Sequence, residues 1–247
     1  MTATITILEE LPRILTTFDM ATAQVHRFTV AGRMQKRART TGTANLVAAA
    51  KADKSETNRP FWDALFSRLS GQPPEVRVDV LTQARYHHAM AEVSSSRPIP
   101  LKNPAQVEAL LAEEVGHLTP GQILTLSSRL VGYDAREWHI PMLDYRVKVS
   151  PENEELVLDH LTVLKQRGWL LNSGRSYHFI GHDLLSGPEG LMSFLGSALL
   201  FAPIVDGRWA AHQLIEGACS LRISSGDERQ PAPHLLTAVP VVTSRHI

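Results

Sequence analysis

The chain has 247 residues, a length that suits one large domain or two small ones. Hydrophobic residues make up 43% of it and charged residues 20%, which is enough apolar material for a core and excludes a disordered chain. The formal net charge is zero, so overall charge does not indicate a nucleic-acid binder. Because Cys219 is the only cysteine, an intrachain disulfide and a cysteine-based zinc site are both excluded.

The first residues lack the basic start and apolar run of a secretory signal peptide. The longest apolar stretch, residues 191–205, is interrupted by serine, glycine and proline and is too short to span a bilayer. Together with the single cysteine, these features predict a protein of the reducing cytoplasm with no membrane partner.

Positive charge is concentrated early in the chain. Residues 1–100 hold 13 Lys and Arg against 9 Asp and Glu, whereas residues 101–247 hold 12 against 16. Within residues 31–60, seven cations face only Asp53 and Glu56. These cations are Arg33, Lys36, Arg37, Arg39, Lys51, Lys54 and Arg59. Two interpretations are open: a solvated loop, which we favour, or an arm that contacts nucleic-acid phosphates.

Hydrophobic spacing predicts the other elements of the first hundred residues. Residues 5–30 carry apolar residues at helical spacing and are predicted to form a helix, and a short amphipathic helix begins at Phe61. Residues 75–81 alternate valine with charged residues, as a half-buried strand does. The next predicted helix carries His87 and His88, which point to different sides and do not make a two-ligand metal face.

The segment Ser94–Pro100 is rich in serine and proline and is predicted to be a linker. It divides a mostly helical part, residues 1–100, from an α+β domain, residues 101–247. In the second part, helices are predicted near 104–115, 150–167 and 189–200, and strands at 122–131, 138–149, 169–180, 219–224 and 235–242. This order predicts an α+β fold with helices on one face of a mixed or antiparallel sheet.

Asp144 lies in an apolar stretch that is predicted to be a strand. A carboxylate there is costly to bury without a partner. Arg146 is expected on the same strand face and is one candidate partner. The alternative partner is Mg²⁺ or Mn²⁺, because these cations prefer oxygen ligands.

The segment Ser173–His178 joins a small-residue turn to a strand. Gly174 permits close backbone approach, and Arg175 supplies a fork for phosphate oxygens. Ser176 and His178 share one strand face, from which both side chains can reach a triphosphate. The alternative is an ordinary β-turn followed by a strand with His178 in the core.

Two further polar residues follow. Asp206 precedes Gly207, an arrangement common in turns, and Arg222 lies in an apolar strand where it needs an anionic partner from protein or ligand. The chain contains no glycine-rich phosphate loop, no dinucleotide-binding fingerprint and no nucleophile elbow, so a serine hydrolase is disfavoured.

The order of these motifs resembles the archaeo-eukaryotic primase superfamily, the primase-polymerases, and is closest to the bacterial primase 1D-like branch. That family has an Asp-x-Asp or Asp-x-Glu strand, then a Ser-x-His strand often preceded by a Ser-Gly-Arg-type turn. A later Asp lies upstream of an arginine-containing strand. Asp144, Ser176 with His178, Asp206 and Arg222 match these places, over roughly residues 120–225.

The resemblance implies an RRM-like catalytic sheet and metal-dependent nucleotidyl transfer. It implies that Asp144 and Asp206 bind Mg²⁺ or Mn²⁺ and that His178 is a third catalytic residue. It also implies a nucleoside triphosphate bound by Ser173, Arg175, Ser176, His178 and Arg222. The implied partners are DNA or RNA, and a protein of a replication or defence complex.

The chain departs from the family pattern at Arg146, which stands where the family has its second acid. Two metal ions about 4 Å apart need several carboxylates, so this exchange weakens the case for catalysis. The candidate substitutes are Glu137, His139, Glu216 and Asp227. Three hypotheses therefore stand: a nucleotidyltransferase, a degenerate primase fold that binds nucleotides or nucleic acid as an accessory or sensing module, and an α+β interaction protein with coincidental motifs.

Overall fold

The protein is described here by a computed structural model that covers residues 5–30, 38–57, 59–85, 93–226 and 231–240. The helices are α1 (Ile7–Thr16), α2 (Thr41–Thr57), α3 (Phe61–Phe66), α4 (Pro74–Arg85), α5 (Pro104–Gly116), α6 (Pro151–Val163), α7 (Gly187–Leu199) and α8 (Gly207–Glu216). The strands are β1 (Thr22–Thr29), β2 (Val93–Pro100), β3 (Gln122–Val131), β4 (Glu137–His139), β5 (Met142–Asp144), β6 (Gly168–Asn172), β7 (Tyr177–Gly181), β8 (Leu185–Ser186), β9 (Ser220–Arg222) and β10 (His234–Val239).

The chain divides into two compact units. The helical unit is Val30–Ala91 and contains α2, α3 and α4. The sheet unit combines Met1–Thr29 with Glu92–Ile247 and contains strands β1 to β10. This division differs from the predicted boundary at residue 100, because β1 and β2 both come from the first hundred residues and pair with each other.

The sheet unit contains two sheets, and the strand pairs in the described residues are antiparallel. The larger sheet has the order β2-β1-β3-β4-β8, with β9 paired to β3 beside β4. The smaller sheet has the order β10-β6-β7-β5. Together with the helices, these sheets confirm the predicted α+β class.

A continuous apolar core joins both sheets to their helices. It includes Leu11 of α1, Leu126 of β3, Leu161 of α6, Phe179 of β7 and Leu195 of α7, each with at most 1% of its surface exposed. Burial of one such side chain contributes about 1.5–3 kcal/mol, so this shared core holds the two sheets in a fixed arrangement.

Local signals account well for where several helices begin. Asn103 and Ser150 each precede a proline, and their side chains accept hydrogen bonds from the backbone N–H of Gln106 and Asn153. These bonds satisfy donors that the first turn of a helix leaves free.

Four local predictions are wrong. The solvated loop favoured for residues 31–60 is wrong at Thr41–Thr57, which form helix α2. Residues 5–30 are not one helix, because α1 ends at Thr16 and residues 22–29 pair with two other strands. Residues 75–81 belong to helix α4 because Val76 and Val80, four residues apart, are both buried in the core of the helical unit. The predicted linker, residues 94–100, lies in β2 and pairs with β1.

Some sequence predictions fall outside the described residues. These concern Arg33, Lys36 and Arg37 of the basic segment, His87, His88 and Asp227. Among the residues that are described, no helix is long and apolar enough to cross a membrane.

Candidate active site

Asp144 and His178 face each other across two paired strands. The β5–β7 register places Asp144, the last residue of β5, opposite His178. His178 Nε2 lies 3.6 Å from Asp144 Oδ1, longer than an ordinary hydrogen bond. The Asp144 side chain is 26% exposed and that of His178 is 9% exposed, so the pair lies at the edge of the interior.

Asp206 is held next to Asp144. Its backbone N–H donates to the carbonyl oxygen of Asp144 at 2.8 Å, which joins the start of α8 to the end of β5. Asp206 is also the N-cap of α8: its Oδ1 accepts from the backbone N–H groups of Arg208 and Trp209, both at 3.0 Å. The two predicted metal ligands, about sixty residues apart in sequence, are therefore neighbours.

The pKa of the Asp144 carboxyl is raised well above its ordinary value. Burial is the main cause, the negative charge of Asp206 adds to it, and the positive charge of Arg222 opposes it. A bound divalent cation would reverse this balance, because it favours the ionised carboxylate.

His178 has the opposite shift. Burial lowers the pKa of its imidazole to about 3, and the charge of Arg222 acts in the same direction. The ring is therefore neutral at physiological pH. Within the described part of the chain, His178 Nδ1 is buried without a hydrogen-bond partner. Such an atom is costly to leave unpaired, so a ligand that reached it would gain a bond.

The predicted phosphate-binding turn, residues 173–176, joins β6 to β7. The backbone N–H and the hydroxyl of Ser173 both donate to the carbonyl oxygen of Ser176, at 3.0 and 3.1 Å. The two serine Oγ atoms lie 3.2 Å apart, and the Gly174 N–H donates to Asn172 Oδ1 at 2.7 Å. These bonds preorganise the turn.

The tip of the turn faces solvent. Gly174 has a φ of 97°, which other residues rarely adopt, and both Gly174 and Arg175 are exposed. Ser173 is buried and Ser176 is half-buried. A phosphate at the tip could therefore reach the Arg175 fork directly, whereas Ser173 is placed to shape the turn.

Arg222 binds backbone carbonyl groups. Its Nη1 donates to the carbonyls of Ser224 at 2.6 Å and Pro231 at 2.8 Å, and its Nη2 donates to that of Ser173 at 2.7 Å. The sequence predicts an anionic partner for Arg222, and the charge of Arg222 does act on the Asp144 carboxyl. In the structure, Arg222 ties β9 of the larger sheet to the turn of the smaller sheet.

Arg146 does not continue the strand that carries Asp144. Strand β5 ends at Asp144, Tyr145 forms an isolated bridge with Val205, and the Arg146 N–H donates to the carbonyl of Ile204 at 2.8 Å. The Arg146 side chain is exposed, whereas that of Asp144 is partly buried. The simple strand alternation that predicts one shared face therefore stops at Asp144.

The candidate substitutes for the second acid have contacts of their own. Glu137 lies 3.0 Å from His139 Nε2 and 3.1 Å from Arg129 Nε, and His139 Nδ1 lies 3.0 Å from Ser128 Oγ. Glu216 acts on the pKa of His26 and of Cys219. Over the described ranges, no group of three or more His, Cys, Asp and Glu side chains is arranged to hold a metal ion.

Sequence reasoning did not single out Arg208, which lies in the first turn of α8. Burial lowers the pKa of its guanidinium and the charge of Asp206 opposes that effect. The only sequence signal is its position two residues after Asp206.

Comparison with known protein families identifies where this site belongs. A model of the archaeo-eukaryotic primase 1D-like family, described as AEP-like, matches residues 104–235, more than half of the chain. The chain belongs to the archaeo-eukaryotic primase 1D-like family. The primase 1D-like match begins at α5, ends in β10 and includes Asp144, the 173–176 turn, His178, Asp206 and Arg222. No curated protein and no solved structure matches this member of the family.

Proposed function

We propose that this primase 1D-like protein is a nucleotidyltransferase that joins nucleotides at the Asp144–Asp206 pair. The observation that carries the proposal is the backbone contact between the two aspartates: the Asp206 N–H bonds the Asp144 carbonyl at 2.8 Å, and the charge of Asp206 raises the pKa of Asp144. Two acids forced together in a partly buried site are poorly stabilised by the protein alone.

The donor set fits one Mg²⁺ or Mn²⁺. Magnesium commonly takes one or two carboxylates and completes its shell with substrate phosphates and water. Asp144 and Asp206 would supply those carboxylates. The described residues offer no third acid beside the pair, so the proposal requires a single protein-held ion.

The proposed reaction is attack of a 3′-hydroxyl oxygen on the α-phosphorus of a nucleoside triphosphate. The new bond joins that oxygen to the α-phosphorus, the bond from the α-phosphorus to the oxygen bridging it to the β-phosphate breaks, pyrophosphate leaves and the hydroxyl proton passes to solvent. When bound, the cation would neutralise charge that develops on the phosphate oxygens. Arg175, at the exposed tip of the turn, would attract the outer phosphates with its positive charge.

His178 would serve as a neutral hydrogen-bonding group. Its pKa of about 3 makes it a weak base, and its Nε2 faces Asp144 at 3.6 Å from Oδ1. Ser176, half-buried at the inner side of the turn, would donate its hydroxyl to a phosphate oxygen.

The test is incorporation of labelled nucleotides on primed and unprimed templates with Mg²⁺ or Mn²⁺. We expect Asp144→Asn and Asp206→Asn to reduce incorporation by at least about a hundredfold, since each removes a carboxylate that would hold the charge-neutralising cation. Asp134→Asn, which changes an exposed aspartate in the β3–β4 turn, is the matched control. Incorporation that survives Asp144→Asn would contradict this assignment.

A second candidate is a primase fold that binds nucleoside triphosphates without joining them, as an accessory or sensing module. The Arg146 substitution and the lack of a third acid in the described residues favour it. It predicts no incorporation under any condition. It also predicts that a triphosphate at about 100 times its Kd stabilises the fold by about 2.7 kcal/mol.

A further inference from the structure

The helical unit is positively charged although the whole chain is neutral. Val30–Ala91 contains 10 Lys and Arg and 5 Asp and Glu, a net charge of +5. The sheet unit contains 15 Lys and Arg and 20 Asp and Glu, a net charge of −5. A separation of charge between two units of one chain directs a polyanion to one of them.

The three helices of this unit have a core of their own. Leu46 and Val47 of α2, Leu65 of α3, and Val76 and Val80 of α4 are buried against one another. This packing fixes which side of α4 is buried and which side is presented to solvent.

A buried carboxylate strengthens that orientation. Asp79 of α4 is 5% exposed, and its Oδ2 accepts from the backbone N–H of Arg39, just before α2, at 2.8 Å. A second acid, Asp53, pairs with Arg68 at 3.0 Å. Asp79 is thus bound inside the unit, and the pairing of Asp53 with Arg68 leaves the net charge of the unit unchanged.

The outward face of α4 combines cations with exposed apolar groups. It consists of Arg77, Val78, Leu81 and Arg85, which lie on one side of the helix at three- and four-residue spacings. Val78 is 62% exposed and Leu81 is 53% exposed. Both arginines are exposed, and within the described part of the chain neither makes an ion pair.

We propose that this outward face of α4 binds the phosphate backbone of nucleic acid. The argument is charge complementarity: two exposed arginines on a twelve-residue helix, in a unit of net charge +5, match a regular row of phosphates. Val78 and Leu81 would pack against sugars and base edges between the phosphate contacts. The proposed surface uses none of the residues of the Asp144 site and does not need the chemistry proposed there.

The test is binding of the full chain to short fluorescein-labelled oligonucleotides, single-stranded and duplex, measured by fluorescence anisotropy over a series of salt concentrations. Triphosphate and divalent cation are omitted. Arg77→Gln/Arg85→Gln is compared with Arg13→Gln/Arg136→Gln, which removes two positive charges from the sheet unit at positions that are 74% and 78% exposed. The two double variants have the same net charge.

We expect Arg77→Gln/Arg85→Gln to weaken binding at least about tenfold and to lower the slope of log K against log salt by about 2, because two phosphate contacts are lost. Arg77→Lys/Arg85→Lys should retain most of the binding because it keeps both charges. The control double variant should bind like the wild type. Melting curves of all variants should coincide with the wild type, since the substituted side chains are exposed.

Three outcomes would overturn the proposal: no binding by the wild type, unchanged binding by Arg77→Gln/Arg85→Gln, or an equal loss in the control double variant. In the last case binding would depend on overall charge and not on α4. The binding assay contains neither triphosphate nor divalent cation, so a failed nucleotidyl-transfer assay and a failed α4 proposal give different results.

Discussion

Asp144 is held in a setting that favours its neutral form. Burial and the charge of Asp206 both raise its pKa, and Arg222 offsets them only in part. The folded protein therefore binds this proton more tightly than the unfolded chain does. Stability from this residue is lost as the pH rises from about 3.8 through the raised pKa, because ionisation costs more in the folded state.

We therefore expect Asp144→Asn to be more stable than the wild type at neutral pH, with the difference shrinking as the pH falls towards 4. Urea unfolding at several pH values measures this. Asp134→Asn, at an exposed position, should follow the wild type at every pH. An Asp144→Asn variant with the same stability difference at all pH values would show that burial and Asp206 do not perturb this carboxyl.

Arg222 and Arg175 are both arginines of the candidate site, but their surroundings differ. Arg222 donates to three backbone carbonyls at 2.6–2.8 Å, a task that needs the planar guanidinium fork. Arg175 is exposed at the tip of the turn, where we expect its positive charge to attract phosphate without a fixed hydrogen-bond geometry.

We expect Arg222→Lys to lose triphosphate affinity by about tenfold or more, whereas Arg175→Lys retains most of it. Isothermal titration with a nucleoside triphosphate and Mg²⁺ measures both. Hydrogen exchange at the Ser173 and Gly174 amides gives a readout without ligand and should become faster only in Arg222→Lys. If lysine replaces Arg222 without loss, this residue acts as a simple charge.

Helix α8 begins at the candidate site, because its N-cap residue is Asp206. Its N-cap Asp206 satisfies the N–H groups of Arg208 and Trp209, and its C-cap Gly217 has a φ of 68°. Asparagine caps helices about as well as aspartate, whereas loss of a cap costs about 0.5–2 kcal/mol.

Substitution by asparagine or by alanine therefore separates the helix-capping role of Asp206 from the role of its negative charge. We expect Asp206→Ala to lower the free energy of unfolding by about 1 kcal/mol and Asp206→Asn to leave it nearly unchanged. Both variants should lose the negative charge that the proposed cation needs. Chemical denaturation gives the stabilities, and Mn²⁺ titration gives the metal affinity. Equal destabilisation by both substitutions would indicate that the cap is not what Asp206 contributes.

Elements with local signals were predictable from sequence, and elements defined by distant partners were not. The helices after Asn103 and Ser150 begin with a capping residue and proline, which local sequence reveals. Residues 75–81 have a valine at every second position, but packing selects only Val76 and Val80 for burial and leaves Val78 exposed. Strands β1 and β2 exist because they pair across some seventy residues, which no local pattern records.

In the candidate site too, the residues could be predicted from sequence but their long-range contacts could not. The order of Asp144, the 173–176 turn and Asp206 predicts a family, and the structure brings these segments together. The three carbonyl bonds of Arg222 were not predictable, because they depend on how β9, the β6–β7 turn and residue 231 meet in space. Sequence supplies the residue types here, and tertiary contacts decide their roles.

At the scale of the whole molecule, two buried neutral histidines make the fold sensitive to acid. Burial lowers the pKa of His178 to about 3 and that of His160 to about 4, from 6.5. His160 is 3% exposed, and its Nδ1 lies 3.0 Å from the Tyr145 hydroxyl. Between these values and 6.5 the unfolded chain takes up protons that the folded protein does not, so stability falls as the pH decreases.

We expect the two histidines to lower the free energy of unfolding from pH 6.5 towards pH 4, each by on the order of 1.4 kcal/mol for every tenfold rise in proton concentration, while the Asp144 carboxyl acts in the opposite direction. Urea unfolding of the wild type and of His160→Gln measures this. The variant should show a shallower decrease because it has one fewer buried imidazole. The same pH dependence in the wild type and in His160→Gln would mean that burial does not lower the pKa of His160.

The position of the helical unit along the chain has a consequence for how this protein could be built and altered. The unit enters after β1 and leaves before β2, and these strands are antiparallel neighbours in which Phe28 is paired with Val93. The paired strand residues Phe28 and Val93, between which the helical unit is inserted in sequence, are thus only about 5 Å apart, the spacing of neighbouring strands. In the connectivity of the larger sheet, the helical unit takes the place of the loop that joins the two strands of a β-hairpin. A two-residue Asn-Gly turn could connect β1 directly to β2. The helical unit, with the polyanion-binding face proposed for α4, could then be removed or exchanged while β1 and β2 keep their pairing.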